Sequence, residues 1–223
     1  MVSEKNVVSE KDVVSEMKFR ELSVPGAWAI TPQLHVDPRG AFFEWFTDAD
    51  FTALAGHHFD LRQANCSVSA AGVLRGLHFA QHPPSQAKYV TCVHGSAFDV
   101  VVDIRVGSPT FGQWDAVLLD AEGRGSVYIS EGLAHAFLAL EDNTTVIYLC
   151  SAPHDPDRQH AICATDPALG IEWPAHGEFQ LSARDAAAPT LDQVRASGLL
   201  PSWDETRAFI GQRRRELGST QLR

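Results

Sequence analysis

The sequence predicts a mainly β protein, an antiparallel sandwich or barrel with few helices. From Val24 onwards, short apolar runs follow one another at close spacing, and turn signals such as DPRG, DAEGRG and EDNT separate them. The run AFDVVVDIR (residues 97–105) alternates between two faces, which is the period of a half-buried strand. Because few stretches have helical periodicity, helices are expected to be minor elements.

Two stretches do predict helices. Residues 48–55 form a brief helical pattern, and Thr47 is placed to act as its N-cap. The segment SWDETRAFIGQRRREL begins with a capping box from Ser202 to Glu205 and has a basic last turn. Both features are typical of a helix, so the chain is expected to end in one.

The start of the chain differs from the rest because it repeats a six-residue unit, MVSEKN VVSEKD VVSEMK. Since this period matches neither a helix nor a heptad, the repeat keeps no single apolar face, and we expect a disordered tail. No Gly/Ser-rich or Pro-rich linker divides the remainder. The expected organisation is a tail over residues 1–17, one β domain over 18–201, and a helix with a short tail over 202–223.

The composition limits the classes of partner. The chain has 28 acidic and 18 basic residues and a formal charge of −10. Nucleic acids and anionic membranes both require a basic surface, so neither is expected as a partner. An anionic small ligand needs only a local cluster of Arg and Lys. The four cysteines lack CxxC spacing, and neither a signal peptide nor a membrane-spanning run is evident, which is typical of a reduced, cytoplasmic protein.

Candidates for chemistry concentrate between Val73 and Asp103. His78 lies in the strand-like run LRGLHF, and Lys88, the only lysine beyond residue 18, directly precedes an apolar strand. A lone histidine is more often a buried group bonded to a neighbour, and a lone lysine can lie on a solvated edge. Imidazole and ammonium groups are nevertheless costly to bury unpaired, and a lysine can stabilise a developing oxyanion. This stretch is therefore predicted to be an active-site wall.

Two further residues each allow two interpretations. Tyr148 in TTVIYLC is either a core aromatic or a phenol that transfers a proton. His135 in ISEGLAHAF completes a G-x-x-H pattern, half of the metal-binding signature of cupin-type barrels. The other half, H-x-H with a later Glu, is missing around His78 and His82. A metal site with two histidines and one carboxylate is therefore not supported.

Anion contacts have candidates in Arg39 and Arg75, although each alone is more often a surface charge. Strict alternation places Arg75 and His78 on opposite faces of a strand, unless Gly76 marks a bulge. Asp185 in LSARDAAAP either orients an imidazole or caps the chain before a proline. Spacing alone favours the cap.

Taken together, these segments resemble the dTDP-4-dehydrorhamnose 3,5-epimerase family. The resemblance extends from about residue 24 to about residue 201, and its motifs occur in order: DPRGAFFEWF, the Q-x-N of Gln63 and Asn65, GVLRGLHF, PPSQAKYV, DVVVDIRVGSPTFGQW, ISEGLAHAF, VIYLC, DPALGIEWP and LSARDAAAP. It implies a cupin-like antiparallel β-barrel (jelly roll), usually a homodimer in which an N-terminal segment joins the partner's sheet. It also implies catalysis without a metal or other cofactor.

The resemblance further implies a substrate and a role for each site residue. The substrate is a dTDP-4-keto-6-deoxyhexose, inverted at C3, C5 or both. His78 is the base that removes the proton next to the C4 ketone, and Asp185 holds its imidazole, against the cap favoured by spacing. Lys88 stabilises the enolate, and Tyr148 delivers a proton to the opposite face. The residues implied to bind the substrate are Arg39, Gln63, Asn65, Arg75 and His135.

The chain departs from the family at two places. Pro153 and His154 stand where an aromatic residue often stacks on the thymine, and Ala164 and Thr165 replace a common Trp-Asn pair. Two other functions also stay open. One is a metal-dependent cupin enzyme, such as a small-molecule oxygenase, that uses His135 with His78 or His82, and the other is a barrel that binds a sugar nucleotide without catalysis.

Overall fold

The computed structural model describes residues 17–83, 85–175 and 177–220. The predicted tail therefore lies outside the described residues except for Met17, which packs in a hydrophobic cluster. The strands and helices of the described part are β1 Lys18–Glu21, β2 Ala27–Thr31, β3 His35–Asp37, β4 Gly40–Phe42, α1 Asp48–Ala55, β5 Gln63–Ser69, β6 Leu74–Ala80, β7 Lys88–His94, β8 Ser96–Asp103, β9 Trp114–Asp120, β10 Ser126–Ile129, β11 Leu133–Ala139, β12 Thr144–Cys150, β13 Gln159–Ala161, α2 Ala183–Ala186, α3 Leu191–Ala196 and α4 Trp203–Thr220.

The strands form two antiparallel sheets and a separate hairpin. The six-stranded sheet has the order β1-β2-β10-β7-β12-β5, the five-stranded sheet has the order β13-β6-β11-β8-β9, and β3 pairs with β4. Alternate side chains of both sheets point inward and form a shared core, which includes Val90 and Val146 of the first sheet and Val101 and Phe137 of the second. This mainly β, antiparallel jelly-roll arrangement confirms the predicted fold class.

The outer face of each sheet is also covered. Phe51 and Phe59 pack with Tyr89 and Tyr128 over the six-stranded sheet. The segment that follows β13, with Leu169, Leu191 and Val194, covers the five-stranded sheet. Because both faces of the five-stranded sheet are buried, its central strand β11 is buried along its whole length.

The predicted helices are present, with one difference. Helix α1 spans the predicted residues, and the Thr47 side chain accepts a hydrogen bond from the backbone N–H of Asp50. Helix α4 starts after Ser202, whose hydroxyl accepts from the backbone N–H of Glu205 at 3.5 Å. The expected basic last turn is wrong, because α4 continues to Thr220. In the described part of the chain, no helix is long and apolar enough to cross a membrane.

Candidate active site

A cavity of about 290 Å³ opens between the two sheets and collects most of the predicted site residues. Its walls come from β5, β7 and β12 on one side, from β6 and β11 on the other, and from α2. The lining residues are Ser67, Arg75, His78, Lys88, His135, Phe137, Tyr148, Ser182, Arg184 and Asp185. A larger cavity of about 560 Å³ lies beneath α4, but it contains none of the predicted site residues.

A bulge in β6 brings Arg75 and His78 to the same cavity. His78 faces His135 on β11 and Arg75 faces Phe137, so two residues of β6 lie opposite one residue of β11. Gly76 sits in this bulge with φ +115°, and an added Cβ would lie 2.6 Å from the carbonyl oxygen of His135. Only glycine tolerates both the conformation and the close approach. The bulge expected at Gly76 is confirmed, and it removes the conflict with strict alternation.

His78 is held by Asp185. The Nε2 atom of His78 lies 2.7 Å from Oδ1 of Asp185, whose side chain is only 5% exposed. Burial alone would raise the pKa of the Asp185 carboxyl, but the hydrogen bond and charge of His78 outweigh it, so this pKa lies below its ordinary value. The ionised carboxylate therefore accepts the Nε2 proton, and Nδ1 of His78 has no hydrogen-bond partner among the described residues.

The turn that positions Asp185 is short and local. Ser182 is the N-cap of α2, and its hydroxyl accepts a hydrogen bond from the backbone N–H of Asp185 at 3.1 Å. The carboxylate of Asp185 is therefore free to face β6. The cap before the proline that spacing favoured for Asp185 is wrong, because its carboxylate binds His78 and Thr190 is the N-cap of α3, which follows that proline.

Lys88 and Tyr148 face the cavity from the opposite sheet. Neither side chain has a hydrogen bond or ion pair with another described residue. Burial lowers the pKa of the Lys88 ammonium, although Cys150 and the negative charge of Asp99 oppose this effect. Burial raises the pKa of the Tyr148 phenol, with Cys150 adding to the shift and Arg75 opposing it. The phenol therefore stays protonated at neutral pH.

His135 is held by a carboxylate that the sequence did not single out. Its Nε2 atom lies 2.8 Å from Oδ2 of Asp99, and both side chains are almost completely buried. Burial lowers the pKa of His135 more than Asp99 raises it, so the imidazole is neutral. The sequence did contain a signal for Asp99. Alternation in AFDVVVDIR puts its carboxylate on the same face as Val101, and Val101 lies in the core, so a buried charge that needs a partner was indicated. Sequence reasoning also passed over Ser67, Phe137 and Arg184.

Three predicted binding residues lie outside the lining of this cavity. Gln63 and Asn65 share the inner face of β5 with Ser67, so they extend one wall beyond the lining residues. Arg39 lies in the exposed hairpin of β3 and β4, where its guanidinium is paired with Asp37. In this chain Arg39 does not reach the cavity.

The donor chemistry of the cavity does not favour a metal. Both imidazoles use Nε2 to bind a carboxylate, and no group of three His, Cys, Asp or Glu side chains among the described residues could hold a metal ion. The combination that is present suits proton transfer at a carbon beside a carbonyl: an imidazole held by a carboxylate, an amine with no hydrogen bond to another described residue, and a protonated phenol. The fold and the site therefore define an isomerase of the cupin-like epimerase class.

Comparison with known proteins gives the family. The family model described as dTDP-4-dehydrorhamnose 3,5-epimerase matches residues 21–193, and the chain belongs to this family. A dTDP-4-dehydrorhamnose 3,5-epimerase of Mycobacterium tuberculosis is 68% identical over 200 residues, which cover 89% of this chain and 99% of that protein. A dTDP-4-dehydro-6-deoxyglucose 3-epimerase of Streptomyces bikiniensis is 49% identical and covers 82% of this chain and 93% of its own length.

Solved structures agree with this assignment. The structure of an epimerase from Mycobacterium tuberculosis superimposes with a TM-score of 0.87 at 68% identity, covering 87% of this chain and 98% of that one. A 3'-monoepimerase of Streptomyces bikiniensis in complex with dTDP-quinovose has a TM-score of 0.85 at 47% identity, covering 86% of this chain and 98% of that one.

Proposed function

We propose that the protein inverts both C3 and C5 of a dTDP-4-keto-6-deoxyhexose in deoxysugar biosynthesis. The observation that carries the reaction type is the position of His78 on one sheet, held by the Asp185 carboxylate of α2, with a lysine and a tyrosine on the facing sheet. Inversion at both carbons is supported by the higher identity to a 3,5-epimerase, 68%, than to a 3-epimerase, 49%.

His78 is the proposed base. Its Nδ1 carries the lone pair that removes the proton next to the C4 ketone, because Nε2–H is bound to Asp185. The imidazolium that forms is stabilised by the same carboxylate, as in other histidine–carboxylate pairs. A base that is oriented in this way contributes about a hundred- to ten-thousand-fold to the rate.

Lys88 is the proposed stabiliser of the enolate. Removing a proton from carbon moves negative charge to the ketone oxygen, and a cation beside that oxygen supplies a large part of the catalysis. Lys88 suits this role because no described residue occupies its amine with a hydrogen bond or ion pair.

Tyr148 is the proposed acid. It lies on β12 in the sheet that faces His78 on β6. A sugar ring bound between the sheets therefore meets the base on one face and the phenol on the other. Removal of a proton from one face and delivery to the opposite face inverts the carbon.

A cluster of polar residues is proposed to bind the substrate. Arg75, which donates to the Ser69 hydroxyl at 3.1 Å, and Arg184 give the cavity a positive charge that suits a diphosphate. Gln63 and Asn65 extend towards the nucleotide, and the neutral His135 offers Nδ1 as an acceptor.

We propose that the reaction uses no metal or other cofactor. Stoichiometric bound iron that is required for activity would contradict this and favour the oxygenase.

We also propose that the protein is a homodimer. The hairpin of β3 and β4 exposes Val36 at 74% and Phe42 at 69%, and a second copy would cover these apolar side chains. In such a dimer, Arg39 of the hairpin is available to the partner's cavity. Light scattering should give twice the mass of one chain.

We also propose that the enzyme is cytoplasmic, because its cysteines are all free thiols: Cys66, Cys92, Cys150 and Cys163.

The test of the reaction is proton NMR of dTDP-4-keto-6-deoxyglucose incubated with the enzyme in D₂O. We expect deuterium to enter at both C3 and C5 and the product to have both centres inverted. Exchange at C3 alone would correct the regiochemistry. Binding of the nucleotide without exchange at either carbon would contradict catalysis and favour the binding protein.

A further inference from the structure

Three polar side chains form a hydrogen-bonded row beside the cavity, on the inner face of β5 and β12. Gln63 faces Cys150 across the two strands, and Asn65 faces Tyr148. Nδ2 of Asn65 donates to the sulfur of Cys150 at 3.5 Å, and Nε2 of Gln63 donates to Oδ1 of Asn65 at 2.8 Å. The row of Gln63, Asn65 and Cys150 ends at the backbone N–H of His154, which donates to Oε1 of Gln63 at 2.7 Å.

The direction of these bonds follows from the backbone of His154. A backbone N–H can only donate, so it must meet the oxygen of the Gln63 amide and not its nitrogen. Nε2 of Gln63 then points to Asn65, which has to present Oδ1. Nδ2 of Asn65 is thereby turned towards Cys150, and the sulfur acts as an acceptor.

The hydrogen bonds within the row use only some of the N–H donors of Gln63 and Asn65. Each amide NH₂ group has two hydrogens, and Gln63 and Asn65 each use one of them inside the row. Their remaining N–H groups suit a ligand rich in acceptors, such as the carbonyls of a pyrimidine or the oxygens of a phosphate. The His154 side chain has no part in this arrangement, because only its backbone N–H does. Any residue other than proline at position 154 can supply this backbone N–H, so the absence of an aromatic residue there does not break the row.

We propose that Cys150 is a positioning residue for nucleotide recognition, because its sulfur accepts one N–H of the Asn65 amide and so fixes the direction in which the second N–H faces the ligand. The proposal rests on the proposed function, in which Gln63 and Asn65 bind the nucleotide. Cys150 is fully buried, so it acts through Asn65 and not by contact with solvent or reagent. It is also the cross-strand partner of Lys88, so its effect on binding has to be separated from an effect on chemistry.

The experiment is calorimetric titration of dTDP into the full-length protein, together with steady-state kinetics on the sugar nucleotide. Cys150→Val removes the acceptor, and we expect dTDP binding about three- to tenfold weaker, the usual effect of losing one neutral hydrogen bond. KM should rise by a similar factor with kcat unchanged. Cys150→Ser keeps an acceptor at the same position and should retain most of the affinity.

A second buried thiol provides the matched control. Cys92 lies on β7 in the hydrophobic core, and its thiol donates to the backbone carbonyls of His94 and Gly95. Cys92→Val should leave the dTDP affinity unchanged. If Cys150→Val does not fold, Cys150→Ala removes the same acceptor without adding volume.

The outcomes separate the two proposals. Wild-type protein that does not bind dTDP would contradict the proposed function itself. Wild-type binding that Cys150→Val and Cys150→Ala leave unchanged would overturn only the role of Cys150. A lower kcat at unchanged dTDP affinity would also overturn it, because Cys150 would then act on Lys88.

Discussion

His78 and His135 are direct cross-strand partners on β6 and β11, yet they differ in their access to the cavity. The His78 side chain is 32% exposed, whereas that of His135 is 9% exposed. Each is held at Nε2 by its own carboxylate. The more exposed imidazole is therefore the better candidate for contact with a substrate carbon, and the buried one for a fixed contact with the ligand.

This difference predicts unequal effects of two equivalent substitutions. His78→Asn should reduce deuterium exchange at C3 and C5 by about a hundred- to ten-thousand-fold, because the proposed base is lost. His135→Asn should raise KM and leave exchange measurable. The two variants are compared by NMR measurement of their deuterium exchange rates at saturating substrate. Equal loss of exchange in both variants would contradict the assignment of His78 as the base.

Tyr148→Phe should separate proton removal from inversion. The variant keeps the proposed base, His78, and Lys88, but it lacks the phenol that we propose as the acid on the facing sheet. We expect deuterium exchange to persist while inversion slows by about a hundred- to ten-thousand-fold. NMR that follows exchange and product formation in one sample checks this. A variant that inverts at the wild-type rate would exclude Tyr148 as the acid.

Gly76→Ala should destabilise the protein and disrupt the site. The added methyl would meet the carbonyl oxygen of His135 at 2.6 Å, in a backbone with φ +115°. Conformational strain alone costs about 1–3 kcal/mol, and the overlap adds to it. Urea denaturation measures the decrease in the free energy of unfolding relative to the wild type.

Gly107→Ala is the control for Gly76→Ala, because Gly107 also has a positive φ, +91°, but its Cβ would meet nothing closer than 3.9 Å. It should lose less stability and keep its activity. Equal losses in the two variants would mean that the contact with β11 is unimportant.

The stability of the protein should fall on mild acidification. Burial lowers the pKa of His135 below its ordinary value of about 6.5, so below that pH the unfolded chain binds a proton more readily than the folded protein does. The contribution of neutral His135 to the free energy of unfolding is therefore complete above a pH of about 6.5, and it is lost as the pH falls below that value. Burial also lowers the pKa of His57, His82 and His160, which adds to the same trend.

Thermal melts of the wild type and His135→Gln between pH 7.5 and 5.5 test this linkage, with replacement of the exposed His35 as control. The wild type should lose melting temperature as the pH falls, and His135→Gln should lose less. Identical pH dependence in the wild type and His135→Gln would contradict the prediction.

Local sequence determined the elements of the structure closely. The alternating run at residues 97–105 contains most of β8, Ser96–Asp103, and α1 has the predicted bounds and N-cap. Such features depend on neighbours a few residues apart, through alternation along a strand and capping of a helix end. Even the bulge at Gly76 was signalled locally, by a glycine between two polar side chains that needed the same face.

The pairing of groups within the site was decided by the tertiary structure. His78 and Asp185 are 107 positions apart, and His135 and Asp99 are 36 apart, so no local pattern links them. Spacing alone made Asp185 a cap, and family resemblance was needed to place it beside His78. Which carboxylate meets which imidazole depends on strand register between sheets and on the path of the chain after β13. Burial lowers the pKa of His135, and burial depends on what packs around a side chain and not on its place in the sequence.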